Sequence, residues 1–231
     1  MRTSDPAEKP VDAIDPGRTI AFSDGVVAIA ITLLILPLTT IELPKSADST
    51  NPLGYVWQEN GSLILSFLIT WLVIITFWMT HNRLFRNFEN INQTVVGWNI
   101  VWLFAVIVLP FPMNLLNQVE NTDAILNADR QVVAFYIGTM AVISVAMSMI
   151  FRQTAKHPEL MTEAARSREH AESPVIGWTF SVYLVLLTLF SLVAPNIALW
   201  GLMGLSVIPR VTQGIDQRQR RRRSAEAVEI S

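Results

Sequence analysis

The sequence predicts an all-α protein that crosses a membrane six times. Three observations carry this. Only 16% of the 231 residues are charged and 51% are hydrophobic, whereas a soluble domain carries about 25% charged residues. The charges gather in the first 18 residues, the connectors and the last 22 residues. Between them lie apolar runs of about 20 residues, enough for a helix to cross a hydrocarbon core of about 30 Å. Such a pattern excludes an ordinary soluble enzyme and a disordered chain. With no cysteine, the chain also has no disulfide framework, thiol redox chemistry or zinc–thiolate site.

The spans follow in order. The first covers residues 19–38, with Asp24 as its single ionised residue. The second covers 62–80, the third 95–116 with prolines at 110 and 112, and the fourth 131–151. Residues 175–209 then form an uncharged stretch, which as one helix would be about 52 Å long. That is too long for one crossing. Pro195 is the natural break, because proline cannot continue a helix and turns the preceding residue away from helical angles. The stretch therefore reads as a hairpin, with a fifth span over 174–194 and a short sixth over 196–208. Gly201 and Gly204 allow the sixth to pack closely on a neighbour.

Basic residues orient the chain. Of the 17 Lys and Arg residues, only Lys45 and Arg130 fall in the connectors opposite the N-terminus. Cytoplasmic loops carry the excess of Lys and Arg, so both termini are expected in the cytoplasm, which also requires an even number of spans. The N-terminal segment does not resemble a cleavable signal: it is long and acidic, and a full span follows it. Three units result: a cytoplasmic segment (1–17), a membrane domain (18–209) and a basic tail (210–231). The arginine run at 220–223 could meet anionic headgroups at about 1 kcal/mol per basic residue, though its simpler use is to anchor the topology. Nothing points to nucleic acid as a partner.

Chemistry for catalysis or cofactor binding is missing. His81, His157 and His170 have no metal-ligand spacing on one helix, and there is no HExxH, phosphate loop or GxSxG. One intramembrane carboxylate is a thin basis for an enzyme or a proton-coupled carrier, which use several buried ionisable groups. A passive pathway suits the scarcity better.

The first span is the informative one. Asp24 lies about 9 Å from the cytoplasmic end of the helix, where an ionisable group needs a partner. At 100° per residue with Ile29 at zero, Phe22, Leu33, Leu36 and Thr40 fall within 40° of it, and Thr32 flanks them. Asp24 points the opposite way. If the apolar stripe lines something, Asp24 does not; it packs against other helices, with Arg18, His81, Asn82, Asn92 and Asn99 as candidate partners. Composition alone allows ordinary lipid contact for the stripe and a snorkelling charge for Asp24.

Arg18, Phe22, Ser23 and Asp24 form RxxxFSD. This resembles the first-span signature of the transmembrane-protein-175 family, the lysosomal-type potassium channels and their prokaryotic relatives. Leu36-Pro37 and the His81…Phe85 element after the second span are similar too. The resemblance implies a homotetramer in a prokaryotic cell membrane, with four first spans around a central pore. It implies that Ile29, Leu33 and Leu36 form the constriction, that Thr32 stands at a selectivity-linked position, and that Arg18, Phe22, Ser23, Asp24 and His81 form a structural network. Gly25 leaves the width just inside the constriction open. Potassium is the implied permeant ion, with no fixed ligands and no cofactor. Apolar constrictions gate by dewetting, and potassium sheds water more cheaply than sodium, so a potassium preference weaker than that of a carbonyl filter is expected. The competing readings are a proton pathway or proton-coupled carrier using Asp24 and His81, and a non-conducting scaffold.

Overall fold

A computed structural model describes residues 14–43, 51–120, 129–169 and 175–202. These residues are helical with no extended strand. Four helical stretches are long and apolar enough to cross a bilayer: Pro16–Thr40, Pro52–Phe85, Gln93–Leu116 and Arg130–Lys156. The first four expected spans all fall within them.

Helix α1 (Pro16–Leu33) starts where Asp15 accepts a hydrogen bond from the Gly17 amide at 2.8 Å, with Pro16 at the first helical position. Both are strong start signals. It stops earlier than the sequence suggests. Pro37 has no N–H to give to Leu33, and residues 36–40 tighten into a 3-10 turn. The 100° step used for the stripe therefore ends at Leu33.

Helix α2 (Pro52–Phe85) is capped by Asn51, which accepts from the Gly54 amide at 2.9 Å. It is longer than the expected span and is interrupted at Asn60 (φ −126°, ψ 16°). The third span is two helices, α3 (Gln93–Val108) and α4 (Pro110–Glu120). Pro110 cannot donate to the carbonyl one turn earlier, so the ladder breaks there. Asn92 caps α3 by accepting from the Val95 amide at 2.9 Å, which commits one candidate partner of Asp24 elsewhere.

Helix α5 (Arg130–Lys156) is the hub, packed chiefly along α3 and α7. Its Ile137, Met140, Ile143 and Ile150 are fully buried, as is Trp102 of α3. Polar side chains tie this helix to its neighbours: the hydroxyls of Thr70 and Tyr136 meet at 2.9 Å, and Ser181 lies 2.9 Å from Ser144 and 2.8 Å from Ser148. Between apolar helices such bonds are each worth about 0.6 kcal/mol and up to about 1.7 kcal/mol.

After the short helix α6 (Glu163–Glu169), α7 (Val175–Ser191) and α8 (Pro195–Gly201) form the hairpin. The break falls at Pro195, as expected. Tyr183 Oη donates to the Gly201 carbonyl at 2.6 Å, so α8 runs back alongside α7. The remainder of the sixth span, the N-terminal segment before Ile14 and the basic tail lie outside the described residues.

One end of the bundle is laced together. Ile14 and Ile91 exchange two main-chain hydrogen bonds (3.2 and 3.1 Å), tying the foot of α1 to the α2–α3 connector. That connector is joined to the α5–α6 connector through Glu89 N to Leu160 O and Thr162 N to Asn87 O, both 2.9 Å. Arg166 braces the second connector by donating to the carbonyls of Met161 (2.9 Å) and Glu159 (3.2 Å).

Candidate pore helix and its supporting network

Helix α1 has two unlike faces. On one, Ser23, Val27, Ala30 and Leu34 are buried against the bundle. On the other, Phe22 (64% exposed), Ile29 (61%), Leu33 (40%) and Leu36 (54%) touch little of their own chain. These are the stripe residues found by helical angle. Leu36 stays exposed although it lies in the 3-10 turn. Gly25 and Arg18 are exposed on the same side, and a Cβ built on Gly25 meets nothing within 4 Å. Thr32 is exposed too; its hydroxyl donates to the Ile29 carbonyl at 2.8 Å, which leaves the oxygen lone pairs directed away from the helix.

Asp24 is half-buried on the opposite side. One of its oxygens, Oδ1, accepts from Trp78 Nε1 at 2.8 Å and from Asn82 Nδ2 at 2.9 Å. Both donors lie on α2, four residues apart, on one face of the helix. Asn82 was among the candidate partners. Trp78 was not, because its indole reads as part of an apolar run although it carries an N–H donor. Arg18 is exposed and makes no ion pair with Asp24.

Beside this pair runs a second chain of bonds, to α3. His81 Nε2 lies 2.7 Å from Asn99 Oδ1, Asn99 Nδ2 donates to Ser23 Oγ at 3.1 Å, and Ser23 donates to the Thr19 carbonyl at 2.8 Å. Because the amide nitrogen of Asn99 faces Ser23, its oxygen faces His81, which then donates from Nε2. The imidazole is fully buried and stacked between Phe85 and Trp102, with both centroid distances 4.2 Å. His81 Nδ1 and Trp102 Nε1 have no partner among the described residues. His81 and Asp24 therefore belong to parallel ties rather than to one bonded pair.

Within the motif, Ser23 and Asp24 perform a mechanical task, while Arg18 and Phe22, expected in the same network, are exposed on the stripe side. Ser23 and Asp24, adjacent in sequence, dock α1 onto α3 and α2 respectively. Since their face opposes the stripe, docking turns the stripe away from the rest of the chain. Among the described residues no group of three or more His, Cys, Asp or Glu could hold a metal ion.

A family model described as "Endosomal/lysosomal potassium channel TMEM175" matches residues 18–110, which contain every network residue named above. A potassium channel of Chamaesiphon minutus is 28% identical over 158 residues, 67% of this chain and 73% of that protein. One from Streptomyces collinus is 29% identical over 138 residues, 60% of this chain and 62% of that protein. The zebrafish endosomal/lysosomal proton channel TMEM175 is 23% identical over 153 residues, 28% of its own length. In fold, the chain is similar to the crystal structure of a lysosomal potassium-selective channel TMEM175 homologue from Chamaesiphon minutus. The TM-score is 0.51 at 24% identity, over 81% of this chain and 96% of that one. Over residues 18–110 the chain is thus similar to TMEM175-type channels, and the solved structure shares its helical fold.

Proposed function

We propose that this protein is a potassium-preferring cation channel of a prokaryotic cell membrane, built as a homotetramer with four copies of α1 around the pore. The observation that carries this is the exposed stripe Phe22, Ile29, Leu33 and Leu36, which the chain's own helices leave uncovered while they bury the other face of α1. The bacterial relatives, named potassium channels, supply the permeant ion. On this reading residues 18–209 are the channel unit, flanked by 1–17 and by a basic tail over 210–231 whose arginines anchor the topology or meet anionic lipid. Arg18, Arg83, Arg86, Arg152, Lys156 and Arg166 belong to the laced end of the bundle or its flanking turns, and Arg130 starts α5 at the other. The basic excess assigns the laced end and both termini to the cytoplasm.

In this arrangement Ile29, Leu33 and Leu36 form an apolar neck that passes ions when it widens or wets, and Thr32 offers the neck a ring of hydroxyl oxygens. Purified protein in potassium-loaded liposomes should show potassium flux exceeding sodium flux. A folded tetramer with no cation flux would overturn the channel function. Ile29→Ser and Leu33→Ser should raise conductance or weaken selectivity; unchanged currents would remove these residues from the lining.

Proton permeation is the second reading, favoured by the vertebrate relatives named proton channels. A pH-sensitive dye in the same liposomes tests it: proton flux lost in Asp24→Asn would support it, and a pH-silent wild type would remove it.

A further inference from the structure

The end of α1 away from the laced connectors borders a cleft of about 680 Å³. Its walls come from the 3-10 turn and the residues after it, from α2 around the interruption at Asn60, and from α4. Its polar lining includes Glu42, Glu59, Tyr55, Asn114 and Gln118; Leu36 and Leu63 supply apolar wall. Among the described residues no Lys, Arg or His lines it. The groups facing the space are thus two carboxylates, amides and a phenol, with alkyl surface beside them.

Size decides among cations. A calcium ion asks for six to eight oxygens at about 2.3–2.6 Å, and two carboxylates around so wide a space do not make that cage. Small-molecule pockets run at about 300–1,000 Å³, a range that includes this cleft, whose lining is largely polar. An ammonium head can pair with the carboxylates and lie against the face of Tyr55, while its carbon chain covers Leu36 and Leu63. The break of α2 at Asn60 fits a hydrated space, because non-helical backbone at the edge of a membrane is tolerated where it lines water or protein.

We propose that this cleft binds a small organic ammonium ion, a diamine or quaternary ammonium, and that its occupant acts on the 3-10 turn of α1. This second step rests on the channel function proposed above. Leu36 carries the coupling, since it lines the cleft and also belongs to the exposed stripe. An occupant that holds the turn fixes Leu36 with it.

The test uses the full-length protein in detergent, with 1,4-diaminobutane and tetraethylammonium as probes at constant ionic strength. Calorimetry should show saturable binding of at least one probe, weakened about tenfold in Glu42→Gln/Glu59→Gln and also weakened in Tyr55→Leu, with unfolding temperatures unchanged. Magnesium and potassium at matched ionic strength should not displace it. No saturable binding, binding indifferent to the double Gln substitution, or displacement by magnesium would each overturn the proposal, the last by making the cleft a metal site. In liposomes, external probe should alter potassium flux in the wild type and lose that effect in the double variant. An effect that persists there places the probe in the pore and also overturns the proposal. Binding is read without flux, so a protein that binds amines but conducts nothing refutes the channel alone, and one that conducts but binds no amine refutes the cleft alone.

Discussion

Asn99 is the joint of the tie between α1 and α3, and replacing it by leucine tests whether that tie is structural. Asn99 is 2% exposed, and leucine nearly keeps its shape while removing both hydrogen-bonding groups. The His81 Nε2–H then has no acceptor, and Nδ1, the accepting nitrogen of this tautomer, already has no donor among the described residues. Leaving a buried donor unpaired costs about 1–3 kcal/mol, and the lost bond to Ser23 adds about 0.5–1.5 kcal/mol. Asn99→Leu should therefore cost about 2–4 kcal/mol. This exceeds the average of about 0.6 kcal/mol for interhelical bonds in membranes, because that figure measures the coupling of two partners and not the stranding of one. Adding His81→Phe removes the stranded donor and keeps an aromatic ring between Phe85 and Trp102. The double variant should regain about 1–3 kcal/mol of the loss. Equilibrium unfolding in mixed micelles, followed by tryptophan fluorescence, measures both. Asn99→Leu within about 0.5 kcal/mol of wild type, or a double variant as unstable as the sum of the singles, would refute the network as described.

Three further outcomes follow from single positions. Gly25→Leu puts a side chain where a Cβ meets nothing within 4 Å of its own protomer, so unfolding should not worsen while potassium flux falls; unaltered flux would take Gly25 off the pore face. Gly201→Ala brings a Cβ to 2.6 Å from Leu187 Cδ1, which is buried, so thermal stability should drop by about 1–3 kcal/mol and recover in Gly201→Ala/Leu187→Val. In the α5–α6 connector, Glu159 is held below the usual carboxylate range, first by its own main-chain amide and then by His157 2.8 Å away. A lowered carboxyl favours the folded chain at neutral pH, and the benefit disappears as pH falls through the lowered value. Glu159→Gln should therefore flatten the acid side of the unfolding profile, and an identical profile would show that the pair has no thermodynamic weight.

Much of this architecture was legible because membranes impose coarse rules. Uninterrupted apolar runs gave the first four spans, and Pro195 marked the turn of the hairpin. The two faces of α1 followed from helical angle, since Asp24 and Ile29 cannot share a side. Other features leave no comparable trace. Trp78 looks like one more apolar residue, although its N–H is the first donor on Asp24. The break of α2 at Asn60 lies just before residue 62, where the expected second span began, so the apolar run did not reach it. Pro37 was visible, but its effect on the helical step after Leu33 depends on where the chain tightens. The bridge between Ile14 and Ile91 has no sequence signature, because it is made by groups that every residue except proline shares.

That last point bears on how the protein tolerates change. The tie at the foot of α1 is written in peptide bonds, so it is blind to side-chain identity. Residue 14 is only half-buried and can drift among many amino acids while the register of α1 against the connector survives, whereas Ile91 is fully buried and its side chain is held by the core as well. Proline is the exception at either position, since it deletes one of the two donors. A saturation library at residue 14 should accordingly show one sharp failure among broadly tolerated substitutions.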